Sequence, residues 1–269
     1  MRRMSLVVLV ALVCAVATLV LAGCASSAEI SQTSTTRLGV STTATLVAST
    51  ITQSPTATGT QASTTTATGP EGLQPLDMVE GGFSTFGDKN DHLAYAAIIR
   101  NPNPDYGTSS GTLHITLHDA NGAVITYDQS FPHIMPGQTI AWAGTLSMNG
   151  QTITGTGSYI LPLEPSDWIP AEQMKSVGFV PFEIVGLTAN ETASTAAIVF
   201  TGNVVNSNSA DFERLAVSVL LRDQEGHLMG GGTGFVENVP AGGKVPFEVD
   251  IPRDMPGYYT SYEAYAQIW

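Results

Sequence analysis

The sequence is poor in charge, in basic residues and in cysteine, and each shortage narrows what the chain can be. Only 12% of its 269 residues are Asp, Glu, Lys or Arg, about half the share usual in soluble proteins. Ten Lys and Arg against 23 Asp and Glu give a net charge of −13, the wrong sign for meeting nucleic-acid phosphates. The two cysteines, Cys14 and Cys24, both precede residue 25, which denies the rest a disulfide, a zinc-thiolate cluster or a cysteine nucleophile. Helical periodicity is scarce, and no Gly-x-Ser-x-Gly elbow occurs. Gly230-Gly231-Gly232 follows a short apolar run with no helix behind it to hold a phosphate. A non-catalytic chain without cofactor is therefore expected, with no nucleic-acid partner.

What is present divides into three unlike segments. Met1 to Cys24 has Arg2 and Arg3, an apolar run from Leu6 to Leu21, then small residues, the three parts of a secretory signal. The run falls short of the roughly 20 residues of a membrane span. It ends in Leu21-Ala22-Gly23-Cys24, which resembles the lipobox of bacterial lipoproteins. That resemblance implies cleavage after residue 23 and acylation of the Cys24 thiol by palmitate-like chains. Two or three such chains anchor stably where one is marginal, so the membrane, through Cys24, is the first expected partner and the expected location is extracytoplasmic.

From Ala25 to Pro70, 23 of 46 residues are Ser or Thr and the only charges are Glu29 and Arg37. Without an apolar period no core forms, and residues 24–75 are expected to be a disordered tether. Such a chain spans roughly 40 Å.

Residues 76–269 carry short β-rich runs divided by Gly, Pro, Asn and Asp. Ala94 to Ile99 leads into Asn101-Pro102-Asn103, and Leu113 to His118 alternates apolar and polar residues as a strand with one buried face does. The turn Asp119-Ala120-Asn121-Gly122 and the run Ala123 to Tyr127 follow, then Pro136-Gly137 and Thr139 to Ala143. About 105 residues later the order recurs. Ile198 to Val205 ends in Asn206-Ser207-Asn208, Leu215 to Leu221 is the next run, and Asp223 to Gly226 matches the first turn. Ala241-Gly242 and Val245 to Val249 complete the copy. Strands at this spacing without crossover helices predict two tandem antiparallel β-sandwiches, over 76–180 and 181–269. The run Phe182 to Leu187 could close the first or open the second.

This order of elements resembles the FxLYD-type domains of bacterial and archaeal envelope proteins, over residues 80–269 in two copies, although the Phe-x-Leu-Tyr-Asp string itself is absent. The resemblance implies an immunoglobulin or fibronectin III-like fold and a non-catalytic envelope module; it transfers no catalytic residue.

Site chemistry is sparse. His114 and His118 share a strand face about 13–14 Å apart, too far to hold one metal ion. The Asp119 and Asp223 turns lack the ordered Asp-x-Asp-x-Asp-Gly spacing of a calcium loop, and no metal is expected. The Asn pairs read as Asx-turns ending the second strand of each sandwich. Tyr258 and Tyr259, after Pro256-Gly257, and Trp168 in the proline-rich connection are aromatic anchors for a partner. The expected function is a lipid-anchored module binding an envelope protein or polymer; the alternative is a solute- or ion-binding accessory lipoprotein serving a transporter or sensor.

Overall fold

The computed structural model describes residues 72–118, 124–149, 159–174, 178–191, 196–255 and 259–269. The signal segment, Cys24, the tether through Glu71, the Asp119–Gly122 turn and Tyr258 lie outside the described residues, and only the backbone of Tyr159 and Ile160 is described. Everything described is strand or connection. The strands are β1 (Asp77–Phe86), β2 (His92–Arg100), β3 (Tyr106–Gly107), β4 (Gly111–His118), β5 (Val124–Phe131), β6 (Thr139–Ser147), β7 (Tyr159–Ile160), β8 (Leu163–Pro165), β9 (Ile169–Pro170), β10 (Glu183–Asn190), β11 (Ala197–Val205), β12 (Phe212–Arg222), β13 (Leu228–Val239), β14 (Lys244–Pro252) and β15 (Ser261–Ile268). All pairings are antiparallel.

The first sandwich faces β1-β2-β6 against β5-β4, whose far side is extended by β7 and β8; β3 and β9 form a small separate pair. Its core takes alternate residues of β2 (Leu93, Tyr95, Ala97, Ile99) and β4 (Leu113, Ile115, Leu117), as the two-residue period requires. The second sandwich faces β10-β11-β14 against β13-β12-β15, around Phe200, Val217, Val219 and Val249. Phe182 to Leu187 opens this second sandwich, because β10 pairs with β11. The 105-residue offset is kept in the ladder at the centre of each copy: Arg100 pairs with Thr139 in the first sandwich and Val205 with Lys244 in the second.

The two sandwiches are fused back to back. β2 is buried at every position from Leu93 to Ile99, and β12 from Leu215 to Leu221, because each strand serves a sandwich core with one face and the junction with the other. Ala96, Ile98, Ala141 and Ala143 meet Leu220 and Leu228 there. Small side chains let the sheets approach closely. A Cβ on Gly230, whose φ is +138°, would fall 2.6 Å from the Cβ of Ala94, so the glycine triplet is a packing device inside β13.

Several polar groups along the seam bond across it. The outer edge of β6 would leave carbonyls bare; Ala141 O accepts from Gln267 Nε2 at 2.7 Å and Ala143 O from Thr233 Oγ1 at 2.8 Å. Arg222 donates to Glu80 of the first sandwich at 2.7 and 2.9 Å and to Glu263 of the second at 2.8 Å. Arginine stays charged at any degree of burial, so a guanidinium this little exposed needs carboxylate partners to offset its desolvation, and these, Glu80 first, raise its pKa further.

Candidate functional site

The turns that close one end of each sandwich are built by asparagine in the same way twice. In the first, Asn101 Nδ2 donates to the carbonyls of Tyr106 and Met135 at 2.7 and 3.1 Å, while its Oδ1 accepts the Asn103 N–H at 3.0 Å. Asn103 then clasps the entering chain, accepting from Gln74 N at 2.9 Å and donating to Gln74 O at 2.8 Å. In the second, Asn206 Nδ2 donates to Ala210 O and Pro240 O, both at 2.9 Å, and Asn208 exchanges the equivalent pair with Val180 at 2.7 and 2.9 Å. Asn101 and Asn206 are buried, and their bonds satisfy carbonyls the turns would otherwise orphan. Gly137 and Gly242 occupy matched turns at φ 68° and 63°, the left-handed region glycine enters without steric penalty. These asparagines are thus consumed by the fold, as the Asx-turn reading expects.

Between the clasped ends, where the connection passes from one sandwich to the other, lies a cleft of about 530 Å³. Its apolar lining includes Met135, Ile169 and Met174 from the first sandwich and its connection, and Phe179, Phe212 and Ile268 from the second. Phe179 and Phe212 belong to an edge-to-face cluster with Phe182, at centroid separations of 5.0 to 6.3 Å. The polar lining is His133, Gln173, Asn208, Ser209 and Asp211. Asp211 turns Oδ1 to the Ala241 N–H at 2.8 Å. Burial holds the His133 pKa below the usual histidine value, with Asp167 pulling the other way, so His133 is neutral at pH 7. Asp167 is fixed by Ser109, whose N–H and hydroxyl reach it at 2.9 and 2.8 Å. Size and composition match a small-molecule or short-peptide site.

Among the described residues singled out from the sequence as partner or metal candidates, Trp168, Tyr259 and His114 are not in the cleft lining. Trp168 is half-buried against the first core. Tyr259 packs on the second core and donates to Glu191 at 2.8 Å; burial, and then Glu191, push its pKa up to about 12. Cys24 and Tyr258 lie outside the described residues. His114 is flanked by carboxylates on both ring nitrogens, Nδ1 hydrogen-bonded to Asp128 at 2.7 Å and Nε2 within ion-pair distance of Glu164 at 3.3 Å. Asp223, Glu225 and His227 in the β12–β13 turn bring potential metal-ligand atoms within 4.8 Å of one another. Asp223 Oδ1, however, already accepts the His227 N–H at 2.8 Å. Local pattern could not reveal the cleft, whose lining comes from segments up to 135 positions apart; the repeated Asn turns flanking a proline-rich connection were its only signal.

No family model matches the chain, and no curated protein matches it. Among solved structures it is similar to the N-terminal CBM22-1-CBM22-2 tandem domain of Xyn10C from Paenibacillus barcinonensis, at 8% identity with a TM-score of 0.15. That likeness covers 74% of this chain and 91% of the other. A likeness so slight carries no argument about function.

Proposed function

We propose that the chain is a lipid-anchored, extracytoplasmic, non-catalytic binding module of the bacterial cell envelope, tethered through acylated Cys24. The observation that carries the binding role is the cleft between two sandwiches that share one seam. Buried apolar faces fix the angle between the sandwiches, so the cleft walls are held ready and little ordering opposes ligand entry. The cleft's size favours the narrower form of this reading, a solute-binding accessory lipoprotein, over attachment of an envelope protein or polymer to the outer sheets, whose exposed residues are mainly polar. The anchor and the extracytoplasmic location rest on Leu21-Ala22-Gly23-Cys24 and on the absence of later cysteine.

Two experiments test it. Cells fed radiolabelled palmitate should label the wild-type chain in the membrane fraction, and Cys24→Ser should abolish label and membrane retention together. Retention of label in Cys24→Ser would overturn the anchor. A thermal-shift screen of sugars, amino acids, amines and metal ions at millimolar concentration should raise the melting temperature with at least one small-molecule class, because a ligand binding only the folded state stabilises it by mass action. An unmoved transition across the whole screen would overturn solute binding.

A further inference from the structure

The cleft has a sign as well as a size. Among its described lining residues Asp211 is the one charged side chain, and His133 is neutral. No Lys or Arg is among these described lining residues; Lys175 lies outside the described residues. Asp211 spends Oδ1 on a backbone N–H, and its side of the cleft is exposed. The apolar lining pairs aromatic rings, Phe179 and Phe212, with the thioethers of Met135 and Met174. Ring faces and polarisable sulfur attract cations and apolar groups alike, whereas an anion entering here would meet a carboxylate and no described counter-charge. The whole chain carries −13, a net charge that favours the approach of cations over anions in general.

Resting on the reading that the cleft binds a solute, we infer that its ligand is an amphipathic organic cation: an apolar or aromatic body seated against Phe212 and Met174, with a protonated or quaternary amine directed to Asp211. The neutral amide of Gln173 and the hydroxyl of Ser209 supply hydrogen-bond partners at the exposed rim without opposing the charge. The assignment excludes carboxylate and phosphate solutes as the preferred class. It also predicts a salt dependence, since a partly exposed ion pair is screened.

The test uses the full mature chain, kept soluble by Cys24→Ser, and calorimetric titration with 2-phenylethylammonium and with phenylacetate, which share a ring and differ in charge. The cation should bind with a dissociation constant below about 1 mM, at least tenfold more tightly than the anion, and more weakly as salt rises. Asp211→Asn keeps the oxygen that accepts the Ala241 N–H, and it should weaken cation binding about threefold to tenfold with an unchanged melting temperature. Gln173→Glu, on the exposed rim, should strengthen it. Equal affinity for the two probes, or indifference to both substitutions, would overturn the cation assignment and leave the cleft as a solute site. Failure of both probes to bind overturns the assignment; if the wider thermal-shift screen is also silent, the solute-binding reading falls with it.

Discussion

The two sandwiches share strand order, the register of the β2–β6 and β11–β14 ladders and the asparagine clasp, yet they bury opposite sheets in the junction. The first contributes β1-β2-β6, and the second contributes β13-β12-β15, the counterpart of the first sandwich's β5-β4-β8. The residues that decide this stand at matched positions. Ala96, Ile98 and Ala143 in the first are Thr201, Asn203 and Glu248 in the second; conversely, Thr112, His114 and Thr116 in the first answer to Ala216, Ser218 and Leu220. One backbone pattern therefore serves as interface or as surface according to a handful of outward side chains. Because both outermost sheets carry the polar set, the stack is capped at each end, as terminal repeats of a solenoid are.

The largest effect should come from exchanging residues across that comparison. Ala96→Thr puts a bulkier side chain and a hydroxyl into a fully buried junction, and overpacking with an unpaired polar group should cost about 2–4 kcal/mol. Thr201→Ala, the reverse change at the matched outer position, should alter stability by less than about 1 kcal/mol, since it gives up only half-exposed bonds to Thr188 and Asn190. Urea unfolding measures both. Equal effects would mean that the two sandwiches do not press together in solution.

A smaller and symmetric effect is expected at the clasps. Asn101→Ala and Asn206→Ala each remove a buried amide that donates to backbone carbonyls on two sides of a turn, and each should cost about 2–3 kcal/mol. Asn103→Ala should add a local consequence that Asn208→Ala cannot have: releasing Gln74 frees the chain where it enters the fold, and limited proteolysis should cut sooner before β1. Unchanged cleavage there would show that the clasp on Gln74 does not hold the entering segment.

Much of this architecture was legible because it is local. Alternation in Leu113–His118, the Asn and Gly turns and the roughly 105-residue offset are patterns within a few residues or between strings of like turn residues. The junction was legible in principle, since Leu215–Leu221 is apolar at every position but Ser218 where Leu113–His118 alternates, and near-continuous apolar runs mark strands buried on both faces. Reading it needed the copies to be compared for their differences as well as their likeness. The packing role of Gly230 was hidden for the same reason: it appears only when a second sheet lies against β13. The cleft was barely legible, because it exists only after the sandwiches dock; Asp211 follows a repeated Asn turn, but Phe212 does not stand out among its neighbours in the chain.

The smallest expected effect concerns the outward face that only the first sandwich fills with histidine. Ser218, the counterpart of His114, is buried in the junction, whereas His114 stands on the outer sheet and links β4 to β5 through Asp128 and to β8 through Glu164. Burial works to lower its pKa, but hydrogen bonds and charge from Asp128 and Glu164 outweigh burial and raise it. The charged form is thus favoured by folding, so its contribution is fully present below the unfolded histidine value near 6.5 and is lost as pH rises through the higher folded value. His133, facing Asp167 at the cleft, works in the opposite sense. Burial lowers its pKa, so acid opposes folding as pH falls below about 6.5 toward its folded value. Urea midpoints between pH 5 and 8 should therefore decline on the alkaline side in wild type and lose that decline in His114→Gln, while His133→Gln should remove a decline on the acid side. An unaltered alkaline limb in His114→Gln would show that the two carboxylates do not hold an imidazolium, and that β8 is kept against β4 by its backbone ladder alone.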